Sequence, residues 1–339
     1  MGSKPERHHL VSRGYLKGWL PDGETQRVRV RLLPSREPKL IGVNDICVKP
    51  WWLAVRDSAG NRDVTLETQL GKIETRAIPR LRQTLATGFV PAQSRINFAY
   101  YLSSLAARGP RIREDMKRWG VEVGEEYLND HPDAEVPVRA EQNRHLTGEP
   151  ALLLIFDLVV PMHAAWLTSM HWAFYRDPRA GFATSDQPVL HLCVDADAPV
   201  TSPTPLYRGN LDAIMVALSP SVLFVATWRP GPDAAPQTAP IGLPAWFNQQ
   251  VHDQAYRHFV EPPEVPVRMN KRVALPELDL RRDTRRFVVA AQARQDTLDL
   301  RDPAGMVYVR YVNNEYRTFT TVAPTAGGEL PPAAAGVGS

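Results

Sequence analysis

Cysteine is almost absent from this chain: Cys47 and Cys193 are the two thiols in 339 residues. That excludes a disulfide scaffold and a Cys-rich zinc ribbon. Two reduced core thiols are expected, with a single bridge as the alternative. Lysine is scarce too, at 7 against 33 arginines. No apolar run is long. The most apolar stretch, Ala151–Leu167, falls short of the roughly 20 residues that cross a bilayer, and Asp157 and Pro161 interrupt it. It reads as a buried central helix.

Met1–His9 holds no apolar segment, so no secretory signal is expected, and Arg7 stands where N-myristoylation wants a hydroxyl. A cytoplasmic protein without membrane contact follows. A Gly-rich phosphate loop, G-x-S-x-G, H-E-x-x-H and C-x-x-C are all missing. Nothing therefore points to a nucleotide cofactor, a serine hydrolase or a zincin.

What is present describes a globular chain. The hydrophobic share is 43%, too high for intrinsic disorder. The length supplies a sizeable core in one large domain or two modest ones. The 31 prolines predict short, interrupted elements, and a net charge of +3 does not by itself demand nucleic acid.

Periodicity predicts a short helix over His8–Leu20, a strand over Val28–Leu33 and an extended segment over Gly42–Val55. Helices are expected over Thr65–Ala86, Gln93–Trp119 (broken at Gly109-Pro110) and Ala140–Tyr175. The acidic segment Glu122–Glu135 reads as a solvated surface excursion. The pattern then changes to period 2, with strands at Gly181–Thr184, Val189–Val194, Ala213–Leu218 and Val222–Trp228. A helix over Pro244–Phe259, a basic cluster at Arg281–Arg286 and a strand at Val307–Val312 complete the expectation. The fold class is α+β, with N-terminal and central helices packed on a mostly antiparallel sheet. One domain is expected over 7–320, comprising a region 7–260 and an extension 261–320, with a disordered tail over 321–339.

The helix at Thr65–Ala86 carries the sharpest chemical clue. Leu66, Leu70, Ile73, Ala77, Ile78, Leu81 and Leu85 fall on one apolar arc, and Glu67 and Glu74 fall inside it, two turns apart. Buried carboxylates need partners. Two readings are open: structural salt bridges to arginine, or general acid/base and metal-ligand duty. Arg108 and Arg111 flank the helix break, where they can neutralise these glutamates or clamp an anion.

Other candidates sit at element ends. His8 and His9 are adjacent, so only one can face a given site. Thr184-Ser185-Asp186 ends a strand, either as a rim of reactive groups or as a plain Asx/ST turn. Asn248, His252 and Tyr256 share a helix face. His252 and His258 mimic a zinc spacing, but 240° separates them on one helix. His163 and His171 read as core or rim histidines. The Arg281–Arg286 cluster reads as a solvated face.

Taken together, these residues resemble a known family. Arg7-His8-His9-Leu10-Val11-Ser12-Arg13-Gly14-Tyr15-Leu16-Lys17-Gly18-Trp19 is similar to the His-His-x-Val-Pro-x-x-Tyr-Leu-x-x-Phe opening of a bacterial domain-of-unknown-function family. The likeness continues in order through Glu67 and Glu74, Arg108-Gly109-Pro110, Phe182–Val189 with its Thr184-Ser185-Asp186-Gln187-Pro188, Leu218-Ser219-Pro220 and the Asn248 helix. It covers about residues 7–260. Ser12 stands where the family has proline, and Trp19 replaces phenylalanine. The family has no assigned activity, so the resemblance marks positions and implies no reaction. What it implies is that His8, His9, Glu67, Glu74, Arg108, Asp186 and Asn248 converge.

The expected function is a metal-dependent hydrolase, with phosphodiester cleavage leading. Glu67, Glu74 and Asp186 would be metal ligands or bases for Mg, Mn or Fe, and His8 or His9 the acid/base. Tyr15, Arg108, Ser185, Asn248 and His252 would bind an anionic substrate, nucleic acid remaining open as that partner. A non-catalytic ligand- or nucleic-acid-binding module is the alternative, and a non-haem iron oxygenase the third reading.

Overall fold

In the computed structural model, the described residues are 7–24, 26–35, 37–56, 62–130, 133, 152, 155–193, 202–203, 213–227, 235–270, 290–292, 307–312 and 315–320. The expected tail over 321–339 and the Arg281–Arg286 cluster lie outside them.

The expected α+β class stands. The strands in chain order are β1 (Arg7–His9), β2 (Arg27–Leu32), β3 (Pro38–Gly42), β4 (Val48–Pro50), β5 (Val55–Arg56), β6 (Arg62–Asp63) and β7 (His171–Arg176). They continue with β8 (Thr184–Ser185), β9 (Val189–Cys193), β10 (Ser202–Pro203), β11 (Ala213–Ser219), β12 (Val222–Thr227) and β13 (Gln237–Thr238). Last come β14 (His258–Val260), β15 (Ala290–Gln292), β16 (Val307–Val312) and β17 (Glu315–Thr320). The helices are α1 (Arg13–Leu16), α2 (Thr65–Thr87), α3 (Ala92–Arg108), α4 (Pro110–Asp130), α5 (Val160–Ser169) and α6 (Leu243–Gln254).

A six-stranded sheet in the order β10-β9-β11-β12-β7-β13 forms the centre, antiparallel except where β13 meets β7. Every residue of β11 and β12 is buried, which is why both read as unbroken apolar runs. Phe98 of α3 packs on Trp172 of β7 and Phe224 of β12, with ring centroids 5.8 and 5.9 Å away, tying helix layer to sheet. A second sheet runs β3-β2-β14-β8. Through it the N-terminal strands and Val260 share one ladder.

Helix α2 follows its periodicity. Leu66, Leu70, Ile73, Ala77 and Leu81 are buried, while Glu67 and Glu74 lie half-buried on the flank of that face. It ends at Gly88, whose φ of 72° is left-handed and open to glycine without a Cβ penalty. The break between α3 and α4 falls where Pro110 disfavours helical backbone at Gly109 and itself suits a first helical position.

Three expectations needed correction. His8–Leu20 is not one helix: Arg7–His9 pairs with β4 as a strand, and α1 spans four residues before a short 3-10 turn. Leu10, Val11, Tyr15, Leu16 and Trp19 are buried there, but over so short a window their spacing does not separate one helix from a strand followed by a single helical turn. The stretch expected as a helix over Ala140–Tyr175 yields α5 and then strand β7. A π-helical turn over Ile155–Val159 leads into the helix, Pro161 sits in its first turn, and the aromatic-rich HWAFYR suits a pleated, buried strand. The C-terminal helix stops at Gln254, and His258–Val260 joins the second sheet. The start of the acidic segment, up to Asp130, is helical and belongs to α4.

Candidate functional site

Strand β1 settles which of the two histidines can face a site. Successive strand side chains point to opposite faces. His8 is fully buried, and its Nδ1 accepts the Leu53 N–H at 2.8 Å, so it holds a turn in place. His9 points the other way, into electrostatic reach of Glu74 and Arg108. Its Nε2 is buried without a hydrogen-bond partner. Burial pushes the imidazole's proton affinity below its ordinary value; Glu74 opposes this, and Arg13, Arg108 and Arg7 add to it. His9 is thus neutral at pH 7, with a nitrogen available.

Arg108 is the centre of the cluster. It is 1% exposed and ion-paired to Glu74, whose side chain is 25% exposed. This is the salt-bridge reading of Glu74. The pair leaves the Arg108 Nε and Nη2 buried with no partner. Tyr101, two turns earlier on α3, lies within reach of both Glu74 and Arg108, and its hydroxyl faces that of Ser12. Neither hydroxyl has a well-directed hydrogen bond. Burial raises the Tyr101 hydroxyl well above its usual range, so it stays protonated.

Gln187 completes the group. Its amide packs so closely on Gly109 that a Cβ there would overlap it, and its Nε2 is buried without a partner. The strand end after β8 is thereby brought onto the α3–α4 break. The buried donors without a partner are Arg108 Nε and Nη2 and, against the neighbouring Gly109, Gln187 Nε2; the Ser12 and Tyr101 hydroxyls face each other, and His9 Nε2 lies within electrostatic reach of Arg108. Buried unmet donors are rare and cost about 1–3 kcal/mol each. Their sign suits an anion.

The other expected site residues are engaged elsewhere. Asp186, 0% exposed, accepts the backbone N–H groups of Tyr256, Arg257 and His258 at 2.8, 2.8 and 2.9 Å, with His258 Nδ1 at 3.2 Å. It pins the chain after α6 to the strand end. Ser185 bonds the Gln187 backbone in both directions, as an ST turn does. Asn248 accepts the Ala183 N–H at 2.7 Å and donates to the carbonyls of Gly181 and Arg268. Tyr15 is buried, bonded to Thr184 Oγ1 at 2.8 Å and donating to the Ala217 carbonyl at 2.6 Å. His252 packs edge-on against Phe259 and contacts Asp253. Glu67 stands two turns before Glu74 on the same flank of α2, half-buried.

Of the residues expected to converge, the structure brings together His9, Glu74 and Arg108. Ser12, Tyr101 and Gln187 join them and were not anticipated. Tyr101 was legible from its seven-residue spacing to Arg108; Gln187 sits in the variable position of the Thr184–Pro188 motif. Among the described residues, no three His, Cys, Asp or Glu side chains are grouped so that they could share a metal ion. Cys47 is a buried free thiol whose proton is held by burial and by the nearby Asp186. His163 and His191 form a separate buried pair, Nε2 to Nε2 at 3.0 Å, with His163 Nδ1 on Ser103.

Fold and cluster together define an α+β protein with an anion-suited polar centre where β1, α2 and the α3–α4 break meet. The chain belongs to the family described as a protein of unknown function, DUF4238, whose family model matches residues 7–274. No curated protein and no solved structure matches the chain. No helix among the described residues is long and apolar enough to cross a membrane.

Proposed function

We propose that the Arg108 cluster binds the anionic group of a substrate and hydrolyses it, phosphodiester cleavage being the reaction class. The observation that carries this reading is the unmet donor set: Arg108 Nε–H and Nη2–H and Gln187 Nε2–H, all buried, beside a neutral His9. Donors fixed in a water-poor setting stabilise charge that develops on phosphoryl oxygens. His9 Nε2 takes the proton of the attacking water as the new O–P bond forms. It returns that proton to the ester oxygen as the old O–P bond breaks. Glu74 holds the guanidinium in place. These steps use the chain's own residues.

Hydrolysis of bis(p-nitrophenyl) phosphate by the purified full chain tests the reading, run with EDTA and with added Mg, Mn or Fe. His9→Asn is expected to lower turnover by about 10²–10⁴-fold. Because His9 titrates below its ordinary value of about 6.5, the acid limb of the rate profile should have its midpoint below that value. Undiminished turnover in His9→Asn and in Arg108→Lys would overturn the reading. Binding of the diester without turnover in the unaltered chain would favour a binding module instead.

A further inference from the structure

One segment beside the cluster has no part in holding the anion. Lys49–Leu53 runs from β4 across the α3–α4 break. Trp51 holds a φ of 56°, a left-handed conformation in which a bulky side chain is an outlier. Strain of that kind persists where the surroundings fix it, and it clusters at binding sites. The Arg62 guanidinium lies over the Trp51 ring, 4.2 Å from its centroid. Trp52 carries two cations: Lys49 Nζ at 4.1 Å and the Arg113 guanidinium at 3.6 Å. Lys49 also reaches the Tyr256 ring at 5.0 Å.

This shelf is anchored to the cluster itself. The Trp52 indole N–H donates to the Arg108 carbonyl at 2.7 Å, and Arg113 donates to the Trp52 carbonyl. Arg62 is exposed, and Tyr256 is 53% exposed. Cation–π pairs alone would stabilise a surface. Two cations crowded on one indole repel each other, however: burial and then Arg113 lower the proton affinity of Lys49, and Asp186 and Glu114 offset only part of this. An anion beside them relieves that repulsion. Exposed Tyr256 and Arg62, beside half-buried Trp51 and Trp52 with the cations they carry, set flat faces and positive charge side by side, which suits a ligand with phosphates and flat rings in alternation.

We infer that the Trp51–Trp52 shelf binds the nucleotides flanking the scissile phosphodiester of a single-stranded nucleic acid. The inference rests on the phosphodiester reading of the Arg108 cluster. A single strand is required because stacking uses base faces that a duplex keeps covered.

The experiment measures fluorescence anisotropy of labelled oligo-dT and oligo-U of about 12 nucleotides, a length within the usual range of single-strand sites. The full chain carries His9→Asn so that the strands stay intact. Both single strands, or one of them, should bind with affinity that falls as salt rises; comparing the two separates DNA from RNA. A duplex and an oligoglutamate peptide of matched length should bind at least about tenfold more weakly. Arg62→Ala with Tyr256→Ala removes two exposed groups and should weaken single-strand binding about tenfold; a melting curve checks that this variant is folded. Duplex or peptide binding as tight as the single strand, or an unaltered affinity in the folded variant, overturns the inference. A strand bound but left uncut by the unaltered chain would sink the reaction and leave the shelf standing. Hydrolysis of the small diester with no strand binding would do the reverse.

Discussion

Replacing Asp186 by asparagine distinguishes a carboxylate that does chemistry from one that holds the fold. Its Oδ1 accepts the Tyr256 N–H; its Oδ2 accepts the N–H groups of Arg257 and His258 and contacts the His258 ring. An amide offers one acceptor oxygen and turns its NH₂ toward a donor. With the oxygen kept at the Oδ2 position, the Tyr256 N–H loses its partner at about 1–3 kcal/mol. The remaining bonds lose their charge assistance, roughly 1 kcal/mol each. Relief from desolvating a buried carboxylate offsets part of this, leaving a net destabilisation of about 2–4 kcal/mol. For a chain of this size that is a drop in Tm of roughly 3–6 °C. Differential scanning fluorimetry and urea denaturation read the stability, and diester hydrolysis well below the transition reads the chemistry. Turnover per folded molecule should be retained. A variant with unaltered Tm and no turnover would refute the reasoning and return Asp186 to the catalytic group.

Three further outcomes follow from the same geometry. Asn248→Ala removes a buried amide that joins Ala183, Gly181 and Arg268; a loss of about 2–4 kcal/mol in urea denaturation is expected, because three backbone groups lose a partner. Gly109→Ala sets a methyl group against the Gln187 amide. It should weaken diester binding more than it lowers Tm, since the amide end can swing aside and abandon the anion site. His163 is held down to about 3 by burial, so between pH 6.5 and that value the unfolded chain binds the extra proton. Its contribution to stability is whole above about pH 6.5 and is lost as pH falls, by at most about 1.4 kcal/mol per pH unit. Urea midpoints from pH 7 to 4 should therefore decline less steeply in a His163→Leu variant.

Much of the fold was legible because it rests on local periodicity. The arc from Leu66 to Leu85 specifies α2, the Gly109-Pro110 pair specifies the break after α3, and the apolar runs at 213–219 and 222–227 specify a buried hairpin. Short elements were not legible. Three residues of β1 gain their conformation from pairing with Val48–Pro50, some forty positions on. The candidate site was half legible for a related reason. Helical spacing puts Glu74 on the apolar flank and marks Arg108 at the break, but carries no information on which buried group meets which.

The sequence alone determined α2, the break after α3, the central hairpin and the presence of two glutamates beside an apolar helix face, because each follows from side-chain order within one element. Tertiary structure decided what those groups do. Glu74 met Arg108 across two helices, His9 rather than His8 turned toward them, and Gln187 arrived from a strand end nearly eighty positions away. Asp186 was drawn off to backbone N–H groups some seventy residues downstream. The physical reason is that a polar side chain's role depends on whether its hydrogen-bonding capacity is met, and the partners that meet it are brought close only when the chain has folded.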